Sequence, residues 1–387
     1  MYSQIDFSLG SNFYLNLYCL LLYCFLVIIS WEGNVSGYYN SSKSGGRTII
    51  LSLGLLLFAM TCFVNDDFFH YQELMYEYRG NVNPEDIRIE LFYQYLISFI
   101  DGSYELFRLF IWGTSLLLII WATRLFKANV YHTLFMILAG YIIVYSYARA
   151  TLAMSIFSLG AVVLCMSREQ RSRWLNIIGG AILASSIYFH RSMAPVVILA
   201  LCSTLLPYKQ KIAKTALWWF PVVVAVCYSV ADAVFGELLE MANAWNGDDS
   251  GALDKMEFYV SERDQAEATT ANGYVTLTLK YATFYLPFFF ITTLLRSDDV
   301  RSSLNQLCIK IYLIIYFVFA LATALIFVEG GDVLFYRYLY VSFILLSILI
   351  AYMRDMGVLK GGQYAAIIIC FILSSFAQLF VAVYTQS

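Results

Sequence analysis

Four side chains in this sequence carry charge, or can carry it, where an apolar chain should not. Arg149 lies in YSYARATLAMS, between two apolar runs with almost no loop to hold it. His190 and Arg191 fill an equally abrupt turn, YFHRSMAP, and Arg337 opens an apolar run in EGGDVLFYRYLY. A guanidinium presents a planar fork of donors that matches phosphate oxygens two at a time, and an imidazole exchanges its proton near neutral pH. Brought together, three guanidiniums and an imidazole would form a strong anion site. Such a site could stabilise charge developing on phosphate oxygens while a proton is moved. Asp66, Asp67, Glu73 and Glu90 are the acids placed to stand near it.

Each of these groups has a blander reading. An arginine near a helix end can run its stem along apolar surface and deliver its charge to headgroup phosphate, with no further task. Arg149 fits that reading least well, because it caps no loop and is surrounded by Ala148, Ala150 and Ala153, the small residues found where helices pack closely. His190 alone reads as a satisfied histidine; beside Arg191 it becomes a candidate base. Arg88 and Arg108 have acidic neighbours, Glu90 and Glu105, and are expected simply to pair with them. Glu329 and Asp332 either bind hydroxyls of a ligand or pair with Arg337, and both readings stay open.

The elements that must position these groups follow from composition. Of 387 residues, 60 % are hydrophobic and 13 % charged, with a mean hydropathy of +0.69. Soluble domains carry about 45–50 % apolar and about 25 % charged residues. A larger soluble core would still need a charged surface, so the excess implies that lipid is the solvent. The 18 % aromatic content suits belts of Tyr and Trp at headgroup depth. A net charge of −3 argues against a nucleic-acid partner. All eight cysteines lie inside apolar segments, which predicts neither a disulfide framework nor a thiolate metal site. The opening MYSQIDFSLG has no basic stretch before the first apolar run, so no cleavable signal peptide is expected.

A helix needs about 20 apolar residues to cross the hydrocarbon. Such runs occur at roughly 13–31, 47–64, 109–125, 131–148, 150–166, 174–190, 193–206, 217–232, 275–295, 308–328, 338–353 and 364–383. The expected fold is therefore all-α: a single polytopic membrane domain over 1–387 with about twelve transmembrane helices. One set of alternate loops, with Lys310, holds 15 basic residues and 5 acids, against 9 and 22 on the other side. The basic side is the cytoplasmic side, which leaves both termini outside. Two external loops are long, 65–108 and 233–274. The first contains the amphipathic stretch Ile87–Ile100, too short to span, which reads as an interfacial or re-entrant helix. The second is acidic and helix-prone. The sequons at Asn34 and Asn40 fall in a cytoplasmic loop, so glycosylation is not expected.

On this layout the chain resembles the EpsG/Wzy-type family of bacterial polysaccharide polymerases, over most of its length. The resemblance rests on NDDFFHYQELMYEY after the second apolar run, with Glu90, Leu91 and Phe92 leading the next helix. It rests further on Arg149 and Ala153 as Arg-x-x-x-Ala, on Phe189, His190 and Ser192 as a Phe-His-x-Ser turn, and on the pair Arg337 and Tyr338. The chain departs from the family pattern at two points. The first outer loop has Asn65, Asp66 and Asp67 where Arg-x-Gly-x-Asp-Tyr is common, and Ala150 follows Arg149 where Gln is common.

The resemblance implies transfer of a glycan en bloc from undecaprenyl diphosphate to a lipid-linked repeat unit at the outer face of the bacterial inner membrane. It implies a metal- and nucleotide-independent enzyme without a cofactor, with the lipid-linked oligosaccharide, the bilayer and a chain-length regulator protein as partners. Arg149 and Arg337 would stabilise the diphosphate, assisted by Arg191. His190, Asp66, Asp67 or Glu90 would take the acceptor proton, and Tyr71, Tyr147, Tyr338 and Asp332 would bind sugar. The rival readings are an O-antigen ligase, a membrane acyltransferase and a lipid-linked oligosaccharide flippase. A flippase needs ionisable groups at the bilayer midplane, whereas here they gather at one rim.

Overall fold

A computed structural model describes residues 9–35, 41–61, 72, 75–76, 91–140, 148–169, 172–207, 209–245, 271–327 and 332–385, and the side chains of a subset of these. Among the described residues all regular structure is helical: α1 (Leu9–Val35), α2 (Ser41–Thr61), α3 (Leu91–Phe99), α4 (Tyr104–Phe126), α5 (Val130–Ala139), α6 (Ala148–Glu169), α7 (Arg173–Phe189), a 3-10 turn (Arg191–Met193), α8 (Ala194–Leu205), α9 (Lys209–Trp245), α10 (Ala271–Leu294), α11 (Asp298–Ser303), α12 (Gln306–Leu325), α13 (Asp332–Asp355) and α14 (Gly361–Thr385). In hydrocarbon every backbone polar group must be bonded internally, and a helix does this within one segment. Five stretches among the described residues are long and apolar enough to cross a membrane: Tyr104–Phe126, Arg149–Met166, Lys209–Ala233, Gln306–Leu325 and Tyr338–Asp355. Hydroxyls inside these helices fold back onto the carbonyl one turn earlier, as Ser155 does to Thr151 (2.8 Å), Ser158 to Met154 (2.8 Å) and Ser115 to Ile111 (2.7 Å). No hydroxyl of those three is left to face lipid unbonded.

The chain packs as two compact units, Met1–Val197 with Ser347–Ser387, and Ile198–Leu346. In the first, α6 is central, and every side chain from Ala150 to Cys165 is buried. Its closest partner is α7, and the contact is between backbones. A Cβ on Gly160 would stand 2.5 Å from the Leu183 nitrogen, and one on Gly179 would stand 2.5 Å from the Leu164 nitrogen. Lipid tails are as apolar as leucine, so association of helices in a membrane rests on such close fit rather than on apolar burial.

The structure details two expectations and revises a third, that for Arg108. The run expected to span 131–148 forms a helix over Val130–Ala139 that ends at Gly140, and 141–147 lie outside the described residues. Ten residues rise about 15 Å, half the hydrocarbon thickness of about 30 Å. The helix can stop there because its last carbonyl is bonded: Ala139 accepts from the Tyr23 hydroxyl of α1 (2.8 Å) and the Ser375 hydroxyl of α14 (2.6 Å). α9 continues as helix past its membrane-long stretch, Lys209–Ala233, to Trp245. Arg108 is buried rather than paired at a surface: its guanidinium donates to the Ala59 carbonyl of α2 and lies 5.8 Å over the Tyr104 ring, while Glu105 accepts from Ser103.

In the second unit α9, α10 and α12 meet through rings. Phe288 stacks on Phe319 with centroids 4.3 Å apart and 4° between planes, and Phe220 and Tyr316 close around them. The buried phenol of Tyr316 donates to the Ala216 carbonyl (3.0 Å) and that of Tyr312 to Thr292 Oγ1 (3.0 Å).

Candidate functional site

The site is built at one end of the α6–α7 pair. The glycine contacts set an antiparallel register, 160 against 183 and 164 against 179. Carried toward the start of α6, that register puts Ala153 level with His190. Arg149 then stands about one turn further along α6, roughly 6 Å beyond that level. Arg149 is the second residue of α6 and half-buried. His190 caps α7 in an extended conformation (φ −159°, ψ 110°), its N–H bonded to the Ser186 carbonyl and its own carbonyl to Met193 N. Its side chain is 8 % exposed, whereas Arg191 is exposed. Two helices start at this rim, α6 and α8, and the first-turn N–H groups of a helix carry positive partial charge. Backbone and side chains there favour an anion.

A third element joins them. The amphipathic stretch of the first outer loop forms α3, whose buried face (Tyr93, Leu96, Ile97) packs on Phe107 and Ile111 of α4 and Leu152 and Ile156 of α6, with Met75 in the same cluster. Asp101 and Gly102 both take left-handed backbone (φ 51° and 61°), which reverses the chain directly into α4. Ser103 caps α4 by accepting from Leu106 N. Two contacts tie α3 to the candidate groups. The Tyr93 hydroxyl donates to the Arg149 carbonyl at 3.1 Å, and the Phe92 ring sits 4.5 Å from that of Phe189, which precedes His190.

The register and the two α3 contacts put the Arg149 and His190–Arg191 segments at the same end of the α6–α7 pair, in the first unit. Arg337 and Tyr338 belong to the second unit, in the second turn of α13, where Tyr338 is buried and its carbonyl accepts from Ser342. Asp332 is the first residue of the same helix. Asp66, Asp67, Tyr71, Glu90 and Tyr147 lie outside the described residues.

Residues 47–387 match the model of the EpsG family. The chain belongs to the EpsG family. This is a family of Wzy-like polysaccharide polymerases, and with its apolar helices the protein is a membrane protein of that type, a glycosyltransferase-like polymerase. No match was found to a curated protein or to a solved structure.

Sequence reasoning about this EpsG-family chain overlooked the opposite end of the first unit, where α4 finishes. There Asn129 caps α5 through its side chain, accepting from Tyr131 N (2.9 Å) and His132 N (3.3 Å). Asp355 binds this cap from α13: Oδ2 accepts from Asn129 N (2.7 Å) and Oδ1 lies 3.3 Å from His132 Nδ1. The His132 ring packs 5.5 Å from Tyr364, and Arg354 lies over the same tyrosine. Lying 223 positions apart in the chain, His132 and Asp355 leave no local pattern that would have paired them. Their arrangement clasps three helix ends.

Proposed function

We propose that this protein polymerises a bacterial polysaccharide by transferring a glycan en bloc from undecaprenyl diphosphate to a lipid-linked repeat unit at the outer face of the inner membrane. On this reading about twelve helices cross the bilayer, both termini lie outside, and a chain-length regulator is a partner. The single observation that supports the reading best is the meeting of α3, the start of α6 and the turn after α7 around Arg149, His190 and Arg191. The two guanidiniums and two helix N-termini at that rim suit a diphosphate whose charge grows as its glycosidic bond breaks.

Arg149 stabilises the leaving diphosphate, with Arg191 assisting. His190 takes the proton of the acceptor hydroxyl, a role that Asp66, Asp67 or Glu90 could fill instead. Such chemistry needs no metal and no nucleotide, because the diphosphate is already an activated leaving group. Arg337 is assigned to phosphate by the family pattern alone, and Tyr71, Tyr147, Tyr338 and Asp332 to sugar on the same ground.

A deletion strain tests the class. Single repeats capped on lipid at the outer face are expected, and repeats trapped inside would indicate a flippase. Returning the gene with Arg149→Ala should leave that phenotype in place at normal protein levels. Polymer of wild-type length from the variant would reject the central role. Arg337→Ala, examined separately, tests the second unit's contribution.

A further inference from the structure

Tyr93 is fully buried, yet it carries a hydroxyl that its apolar surroundings do not require. A phenylalanine would fill the same space, and a buried hydroxyl is costly unless bonded. One bond that it makes is to the carbonyl of Arg149, at 3.1 Å. That carbonyl already serves as an acceptor within α6, so the tyrosine is not there to rescue an orphaned group. The neighbouring Phe92 presses on Phe189, the residue before His190. One short helix therefore touches the backbone of one candidate group and the residue next to the other. Its own position is held by the fixed turn at Asp101 and Gly102.

We infer that α3 is a positioning strut for the polymerising site, with the Tyr93 hydroxyl holding the first turn of α6 so that Arg149 keeps its height relative to the His190 turn. Tyr93 itself need touch no substrate. The inference rests on the reading that Arg149 acts on the diphosphate. A group that stabilises a transition state must be held closely, and a displacement of about 1 Å can cost up to about a hundredfold in rate. Removal of one hydroxyl, with the packing kept, falls well short of that displacement.

The experiment uses membranes from the deletion strain carrying each variant of the full chain, and lipid-linked single repeats extracted from the same strain as substrate. Tyr93→Phe should lower turnover at saturating repeat about five- to tenfold, leaving the half-saturating concentration and the thermal midpoint of the purified protein unchanged. Phe92→Leu should act in the same direction. Ile111→Val, a packing change in the same cluster, should leave turnover as it was. If Arg149→Ala abolishes polymer but Tyr93→Phe turns over at the wild-type rate, the strut is wrong and the role of Arg149 stands. If Tyr93→Phe loses turnover only in step with its thermal midpoint, the hydroxyl is merely structural and the inference is again overturned. Wild-type polymer from Arg149→Ala removes the reading on which it rests.

Discussion

The two units of this protein join their central helices by opposite means. Around α6 and α7 the contact is glycine on backbone, with Gly160 and Gly179 each facing the chain of the partner helix. Around α9, α10 and α12 it is ring on ring, with Phe288 stacked on Phe319 and Phe220 and Tyr316 enclosing them. A backbone contact has no side chain that can change rotamer, so it leaves the two helices little room to readjust. An aromatic seam is strong through area and dispersion, but it can readjust by tilting rings. The arginine–histidine rim is carried by the first kind of seam. On the proposed function, stiffness is placed where Arg149 and His190, on different helices, must keep a distance.

Substitutions can break or sharpen this contrast. Phe288→Ala should cost most, about 3–5 kcal/mol, because it empties the centre of the aromatic seam, whereas Phe288→Leu should recover most of that loss by repacking. Thermal unfolding of the purified protein reads both, and equal losses would mean that the ring seam is no more adaptable than the glycine one. Gly160→Ala comes next, at about 1–3 kcal/mol, since its Cβ meets backbone atoms of Leu183 that cannot rotate away. Its polymer yield should fall further than its stability, because pushing α7 off α6 moves His190 relative to Arg149. An unchanged ratio of yield to folded protein would show that the seam does not position the site.

Smaller effects come from the stop at Ala139. Tyr23→Phe or Ser375→Ala alone should cost about 1 kcal/mol or less, since the carbonyl keeps a second donor. The double variant should cost more than the sum, and additive losses in a double-mutant cycle would remove the shared acceptor from the account. Gly180→Ala, one position from Gly179 but with nothing within 4 Å of its Cβ, should be neutral or stabilise by up to about 1 kcal/mol. The same unfolding measurement checks it, and a loss matching that of Gly160→Ala would show that glycine is needed along the whole helix rather than at its contacts.

Much of the fold could be read from the chain because hydropathy reports lipid directly. The runs at 150–166 and 174–190 match α6 and α7 to within three residues at each end. Arg149 and His190 stood out because charge between apolar runs is conspicuous. The stop of α5 at Ala139 was not legible, since the apolar run continues past it through Tyr141, Ile142, Ile143 and Val144, and the donors that make a stop tolerable come from distant helices. The burial of Arg108 was missed because a nearby acid, Glu105, offered a simpler partner than a carbonyl on α2. The Tyr93–Arg149 and Phe92–Phe189 contacts join positions 56 and 97 apart, a distance at which side-chain type carries no information about proximity.

The shared carbonyl at Ala139 also bears on how the chain is made. Its first donor, Tyr23, leaves the ribosome before α5 does, but its second, Ser375, follows 236 residues later. At about 5–20 residues per second, that is roughly 10–50 s of translation. Throughout that interval the last carbonyl of α5 has one of its two hydroxyl donors, and the nascent protein reaches its finished hydrogen bonding there only when α14 arrives.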